Sequence, residues 1–452
     1  MTKSKAYITE GPLFKSIVTF AIPILVATLV ANLFHSADMI ILGNMADSVA
    51  VASVGATANV IGLVVNFFIA LPVGTSVLLA RSIGAGERGR IKRLVDTSMY
   101  FSVAVGFFVA LLGNIIAVPV LRALDCPADC FDGAVTYLRI YMWGIPPMLI
   151  YAFGGAIIRA EGDSRRPLIY TIASGVLNVV LNFVLCLVLT EKVAAVAIAT
   201  VASQFLSALL VVIRLFVKGG DCKFTFKNPA FSFRELGRLM RFAIPSAICS
   251  LMYPLASLQI SGALNSYGSA AVAGTAAGTN IEGLTNAFYA AFSTSLVTFM
   301  NQNIGAGNRP RVERSMLYCA ICSLVLGSIG LFIYLFCPEA VLSLYVPGDA
   351  EAIRYGVARM RFVLAFQMVA AMNGILSSSI QAFGYPTLSS INSIISILGW
   401  RLFWMNFVYP KYQTINSLLF CFSCSWMLNL VINLACFAPL FIRYKRYNIV
   451  KG

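Results

Sequence analysis

Residues 11–43 read GPLFKSIVTFAIPILVATLVANLFHSADMIILG, and this stretch decides the fold. No ionisable residue falls between Lys15 and His35. A helix needs about 20 mostly apolar residues to cross the hydrocarbon core of a bilayer, and this run supplies them. Asp38 then interrupts apolar sequence that continues as MIILG. An ionised carboxylate at mid-bilayer costs about 2.5–3.5 kcal/mol on insertion scales. A residue kept at that cost is a functional candidate, and Asp38 is expected to exchange a proton or a sodium ion.

The chain repeats this pattern. FAIP at 20–23 returns at 242–245, and IGAG at 83–86 returns at 304–307. AVASVGATANVIGL at 50–63 lies over AVAGTAAGTNIEGL at 271–284, and IRAEG at 158–162 lies over IQAFG at 380–384. The offset stays close to half the chain. It places Ile260 opposite Asp38, so the first-span acid has no twin.

Composition sets the class. Hydrophobic residues make up 59% of the 452 and charged residues 11%, against about 25% charged in soluble domains. The expected fold is an all-α polytopic membrane protein with twelve transmembrane helices in two pseudo-symmetric six-helix bundles. The spans are placed at roughly 13–43, 49–80, 94–119, 133–158, 167–189, 193–216, 236–265, 270–301, 312–336, 352–380, 387–409 and 415–442. An N-terminal lobe at 1–216, a cytoplasmic linker at 217–235 and a C-terminal lobe at 236–452 follow. Six spans per lobe give both halves one orientation, so the duplication is a parallel repeat. Both termini are expected in the cytoplasm. The net charge of +15 reflects the placement of most Lys and Arg on one side, not nucleic-acid binding.

Several chemistries are excluded by pattern. Gly84, Gly86 and Gly89 spell G-x-G-x-x-G, but they follow a transmembrane helix, and the copy carries Pro310 in place of the third glycine. A tight turn is the expected structure there. One histidine in the chain argues against a zinc site. No catalytic cluster or nucleophile motif is visible, so an enzyme is not expected, and no cofactor is. Cys126 and Cys130 lie four apart in an outer loop and stay open between free thiols and a disulfide.

Asn178 and Asn182 share one face of the fifth span, and pairing with Asp38 would satisfy both amides. Glu282 is a second intramembrane acid. It stays open between coupling ions, binding a cationic substrate and capping the packing near Asn280, and Arg401 is its candidate partner. His35, Phe34, Thr200, Ser203, Gln204, Tyr253 and Arg401 are candidates for the wall of a substrate cavity. Pro23 breaks the first span and is the candidate hinge, with Pro245 as its twin.

Taken in order, the runs at 11–43, VGTSVLLARSIGAGE at 73–87, IRAEGDSRRP at 158–167 and FAIPSAI…AAGTNIEGL…NQNIGAG in the second half resemble the bacterial multidrug and toxic compound extrusion (MATE) family. The likeness is closer to its DinF-type branch than to its NorM-type branch. It implies a monomeric exporter in the cytoplasmic membrane, with two bundles around a central cavity. Such a protein exchanges protons or sodium for small, often cationic amphipathic compounds. Asp38 falls on the family's first-span acid, Pro23 on its kinking proline and Asn178 on its fifth-span asparagine. Asn182 stands where many DinF-type relatives carry aspartate, and Glu282 resembles that branch's eighth-span glutamate. A sodium ion, if sodium drives exchange, is placed near Asp38. The alternative within the superfamily is a lipid-linked oligosaccharide flippase, which usually has fourteen spans.

Overall fold

The computed structural model describes residues 8–45, 48–218, 220–225, 227 and 229–447. Among them, helix accounts for 88% and no strand occurs. Eleven helical segments among the described residues are long and apolar enough to cross a membrane. A twelfth long helix, Ser269–Gly305, occupies the eighth-span position. Asn280, Glu282, Asn286, Asn301, Gln302 and Asn303 interrupt its apolar sequence. An all-helical fold meets what a bilayer demands, since helices satisfy every backbone N–H and C=O internally.

The duplicated glycines have one job in both halves. Gly86 and Gly307 close the second and eighth spans at φ 73° and 70°. Gly86 N–H donates to Ile83 O and Glu87 N–H to Ser82 O; Gly307 N–H donates to Ile304 O and Asn308 N–H to Asn303 O. Gly162 and Gly384 repeat the device at φ 100° and 92°. Only glycine enters this left-handed region without steric cost, which explains why these positions survive in both copies.

The chain divides into two compact units. Among the described residues, one is Val26–Ala243, and the other joins residues 8–25 to those from Ile244 on. The division falls next to Pro23 and next to Pro245.

In the first unit, the third span (Arg88–Ala123), the fourth (Phe131–Met142 with Ile145–Ala160) and the sixth (Lys192–Lys218) pack through small residues. Gly106 faces the Pro146 backbone and Gly154 faces Val211. Close approach at glycine replaces the hydrophobic drive that lipid removes. The connection after the sixth span is tied down on the third. Asp96, fully buried, accepts from Lys92 Nζ at 2.8 Å and from the Ala230 N–H at 2.9 Å. Thr97 Oγ1 accepts from the Ser232 N–H at 3.0 Å.

In the second unit, Ile8, Ile17 and Phe20 pack against Phe299, Met300, Phe383 and Tyr444. The eighth span crosses Ala350–Phe362 where Gly274 meets the Ala352 carbonyl. A Cβ there has no room, and the obstacle is backbone. Gly274→Val is therefore expected to cost about 1–3 kcal/mol or more, read as a lower melting temperature of detergent-purified protein. Gly283→Ala on the same helix, with open space around it, is the control and is expected to be neutral or stabilising.

Candidate functional site

In the first unit, the fifth span (Arg165–Val188) buries both Asn178 and Asn182. One helical turn separates them, and Asn182 Nδ2 donates to Asn178 Oδ1 at 3.5 Å. Phe34 of the first span (Leu13–Met45) packs directly over Gly175, one turn before Asn178. Asp38 and His35 continue the first-span helix, and their side chains lie outside the described residues. The expected pairing of Asp38 with the two amides lies outside them too. On the sixth span, Thr200 and Ser203 spend their hydroxyls on their own helix, donating to Val196 O at 3.0 Å and Thr200 O at 2.7 Å. Gln204 sets its amide oxygen against Gly144.

The second unit holds a cavity of about 590 Å³. Tyr253 of the seventh span (Phe233–Asn265), Glu282 of the eighth, Arg359 of the tenth and Phe422 of the twelfth (Ile415–Tyr447) contribute to its wall. Here the sequence expectation is corrected. Glu282 pairs with Arg359, Nη2 to Oε2 at 2.7 Å, and not with Arg401. The tenth span reaches the eighth at Gly278, where the Arg359 stem lies against the helix and delivers the guanidinium to the carboxylate. Arg359 lies near the start of its span, where a basic residue reads as a membrane-edge charge; nothing in the sequence marks it as Glu282's partner.

Arg401 is buried and aromatic-bound instead. Its guanidinium lies 4.7 Å from the Tyr253 ring centroid and 4.3 Å from that of Phe422. Its Nε donates to Ser425 Oγ at 3.3 Å. Arg359 also lies over Phe422, at 5.0 Å. Trp426 Nε1 donates to the Tyr253 hydroxyl at 2.9 Å.

A buried amide cluster escaped the sequence reading. Asn433 Nδ2 lies 3.3 Å from Asn373 Oδ1 and 3.0 Å from Asn429 Oδ1, and Asn392 Nδ2 donates to Asn433 Oδ1 at 3.3 Å. The signal was present: Asn429 and Asn433 share a helical face, as Asn178 and Asn182 do. Their partners sit on two other spans, and one sequence gives no register between helices.

Cys126 and Cys130 are free thiols with sulfurs 3.9 Å apart.

At the turn after the fourth span, burial pushes the Glu161 carboxyl up to about 7, even though Arg214 at 3.1 Å and Arg166 pull it down. Asp163 adds a further upward push. A carboxyl whose folded value lies above its unfolded 4.5 binds protons more tightly when folded. That contribution is full below about 4.5 and is lost as pH rises through about 7. Melting temperature is expected to fall across that window in wild type, with a shallower fall in Glu161→Gln; equal slopes would refute the assignment.

The MatE family model matches residues 23–184 and 245–403, the two segments opening on the twin prolines. The probable multidrug resistance protein NorM of Thermotoga maritima is 26% identical over 415 residues, covering 89% of this chain and 87% of that protein. The FAD transporter of Shewanella oneidensis is 24% identical over 323 residues, 70% of each chain. A solved MOP superfamily transporter from Pyrococcus furiosus, whose binding pocket is described as having reverse polarity, superimposes with a TM-score of 0.87. It is 22% identical and covers 98% of each chain, a likeness of fold.

Proposed function

The chain belongs to the MatE family, and on that premise we propose that it is a secondary active antiporter of a bacterial cytoplasmic membrane. It exports small, often cationic amphipathic compounds in exchange for protons or sodium ions. The buried Asn178–Asn182 pair carries this reading. Two buried amides one helical turn apart make a polar site on an otherwise apolar helix. Phe34 over Gly175 brings the first span alongside the fifth, one turn before Asp38. A carboxylate and two amide oxygens are hard ligands suited to a proton or a small cation. We place the exchanged ion there.

The lobes 1–216 and 236–452, joined through 217–235, rock around a central cavity, with both termini cytoplasmic. The chain works as a monomer, and an ion gradient is its only energy source. One charge crossing the membrane potential releases about 2.3 kcal/mol per 100 mV, enough for a concentration ratio of some tens-fold. A single working carboxylate suffices for that.

Reconstituted vesicles test the reading. Substrate efflux is expected when either a proton or a sodium gradient is imposed, and swapping the gradients identifies the ion. Efflux that proceeds equally with no gradient would refute antiport.

A further inference from the structure

The second-unit cavity has more buried positive charge around it than negative. Glu282 and Arg359 neutralise one another at 2.7 Å. Arg401 has no carboxylate among the described residues. Its residue is 1% exposed, its Nη1 and Nη2 make no hydrogen bond, and its one contact through Nε is to a neutral hydroxyl. The rings of Tyr253 and Phe422 stabilise the cation electrostatically and the Tyr253 hydroxyl interacts with the guanidinium as well, but no anionic acceptor among the described residues meets its Nη N–H bonds. Both rings belong to the cavity wall, so Arg401 stands directly behind that wall.

The local backbone is unusual as well. Arg401 sits in the short helix Trp400–Phe403 between two π-helical stretches, Ile394–Gly399 and Trp404–Val408. Such turns are rare and gather at functional sites, since one extra residue per turn re-aims a side chain. The repeat offset puts Val179 opposite Arg401, so the first half has no counterpart.

We propose that this cavity accepts the anionic group, a carboxylate or phosphate, of an amphipathic substrate, and that Arg401 is its anchor. The proposal rests on the exporter reading for the cavity's purpose, and it deepens that reading: the second unit selects anionic or zwitterionic compounds. A planar guanidinium matches two oxygens at once. Phe422 is the fixed wall, at 4% exposed. Tyr253, at 37% exposed, is the side that turns away to admit the ligand. Glu282 already holds Arg359 at 2.7 Å, which leaves Arg401 as the cation available for an anchor.

The test uses the full-length protein in neutral detergent and three probes with one fluorescent body: pyrene carboxylate, pyrene methanol and pyrene methylammonium. Fluorescence anisotropy reads their affinities. The carboxylate is expected to bind about tenfold tighter than the alcohol, the ammonium weakest. Arg401→Gln is expected to remove that preference and leave the alcohol's affinity within about twofold, while Arg401→Lys keeps part of it. Equal binding of the three probes, a preference for the ammonium, or an unchanged preference in Arg401→Gln would overturn the proposal. Where Arg401→Gln yields no folded protein, the wild-type comparison alone decides. Displacement of the carboxylate probe by short-chain phosphatidylglycerol but not by benzoate would assign the anchor to lipid and equally overturn it. Binding is read without a gradient, so its failure is separate from that of antiport: selective binding without gradient-driven efflux would sink the exporter reading alone.

Discussion

Asp38→Asn is expected to abolish gradient-driven efflux from vesicles, while the protein still inserts and purifies at normal yield. Asparagine keeps the size and an oxygen of aspartate but cannot carry a charge across the cycle. An antiporter needs one group that holds the incoming ion in one state and releases it in the other. A neutral amide at position 38 leaves three amides and no carboxylate on the proposed first-lobe site. The expected loss is at least about a hundredfold in initial efflux rate, since the coupled step itself disappears. Asn182→Asp is the informative companion. It adds a second carboxylate, and it is expected to keep transport while changing its pH dependence. Normal efflux by Asp38→Asn would remove the first-lobe mechanism.

The second large effect lies in the Glu282–Arg359 pair, whose side chains are 13% and 7% exposed. Truncating either partner strands a buried charge, which costs about 3–5 kcal/mol in buried pairs. Arg359→Leu and Glu282→Leu are each expected to lower stability by that amount in detergent unfolding. The double variant is expected to recover to within about 1 kcal/mol of wild type, because apolar replacement of both partners removes the desolvation cost with the attraction. Additive losses would show that the two groups act apart. The outcome also bears on Glu282 as an ion carrier. A carboxylate that holds a guanidinium at 2.7 Å must surrender it before taking another cation.

Much of this was legible in the chain. Apolar runs set the helices, because a continuous apolar run of this length satisfies its N–H and C=O groups within one segment only as a helix. The repeat marked the glycine turns, whose twins adopt one conformation for one steric reason. Asn178 and Asn182 were found because helical spacing is a local property. Glu282 and Arg401 stood out as charges in apolar sequence, yet their partners did not follow. They resembled each other's counterions only because both were unexplained.

The sequence by itself thus determined an all-helical, duplicated membrane protein and identified the residues that break its symmetry. Only the tertiary structure decided who meets whom. Arg359 reaches Glu282 because Gly278 lets the tenth span come close, and Arg401 is left between two rings. The physical reason is that helix formation depends on neighbours three or four residues away, whereas a buried ion pair depends on the rotation and depth of two helices. Here those are set by close glycine contacts, Gly274 against the Ala352 carbonyl and Gly278 against Arg359, and they join Glu282 to a partner 77 residues away in the chain.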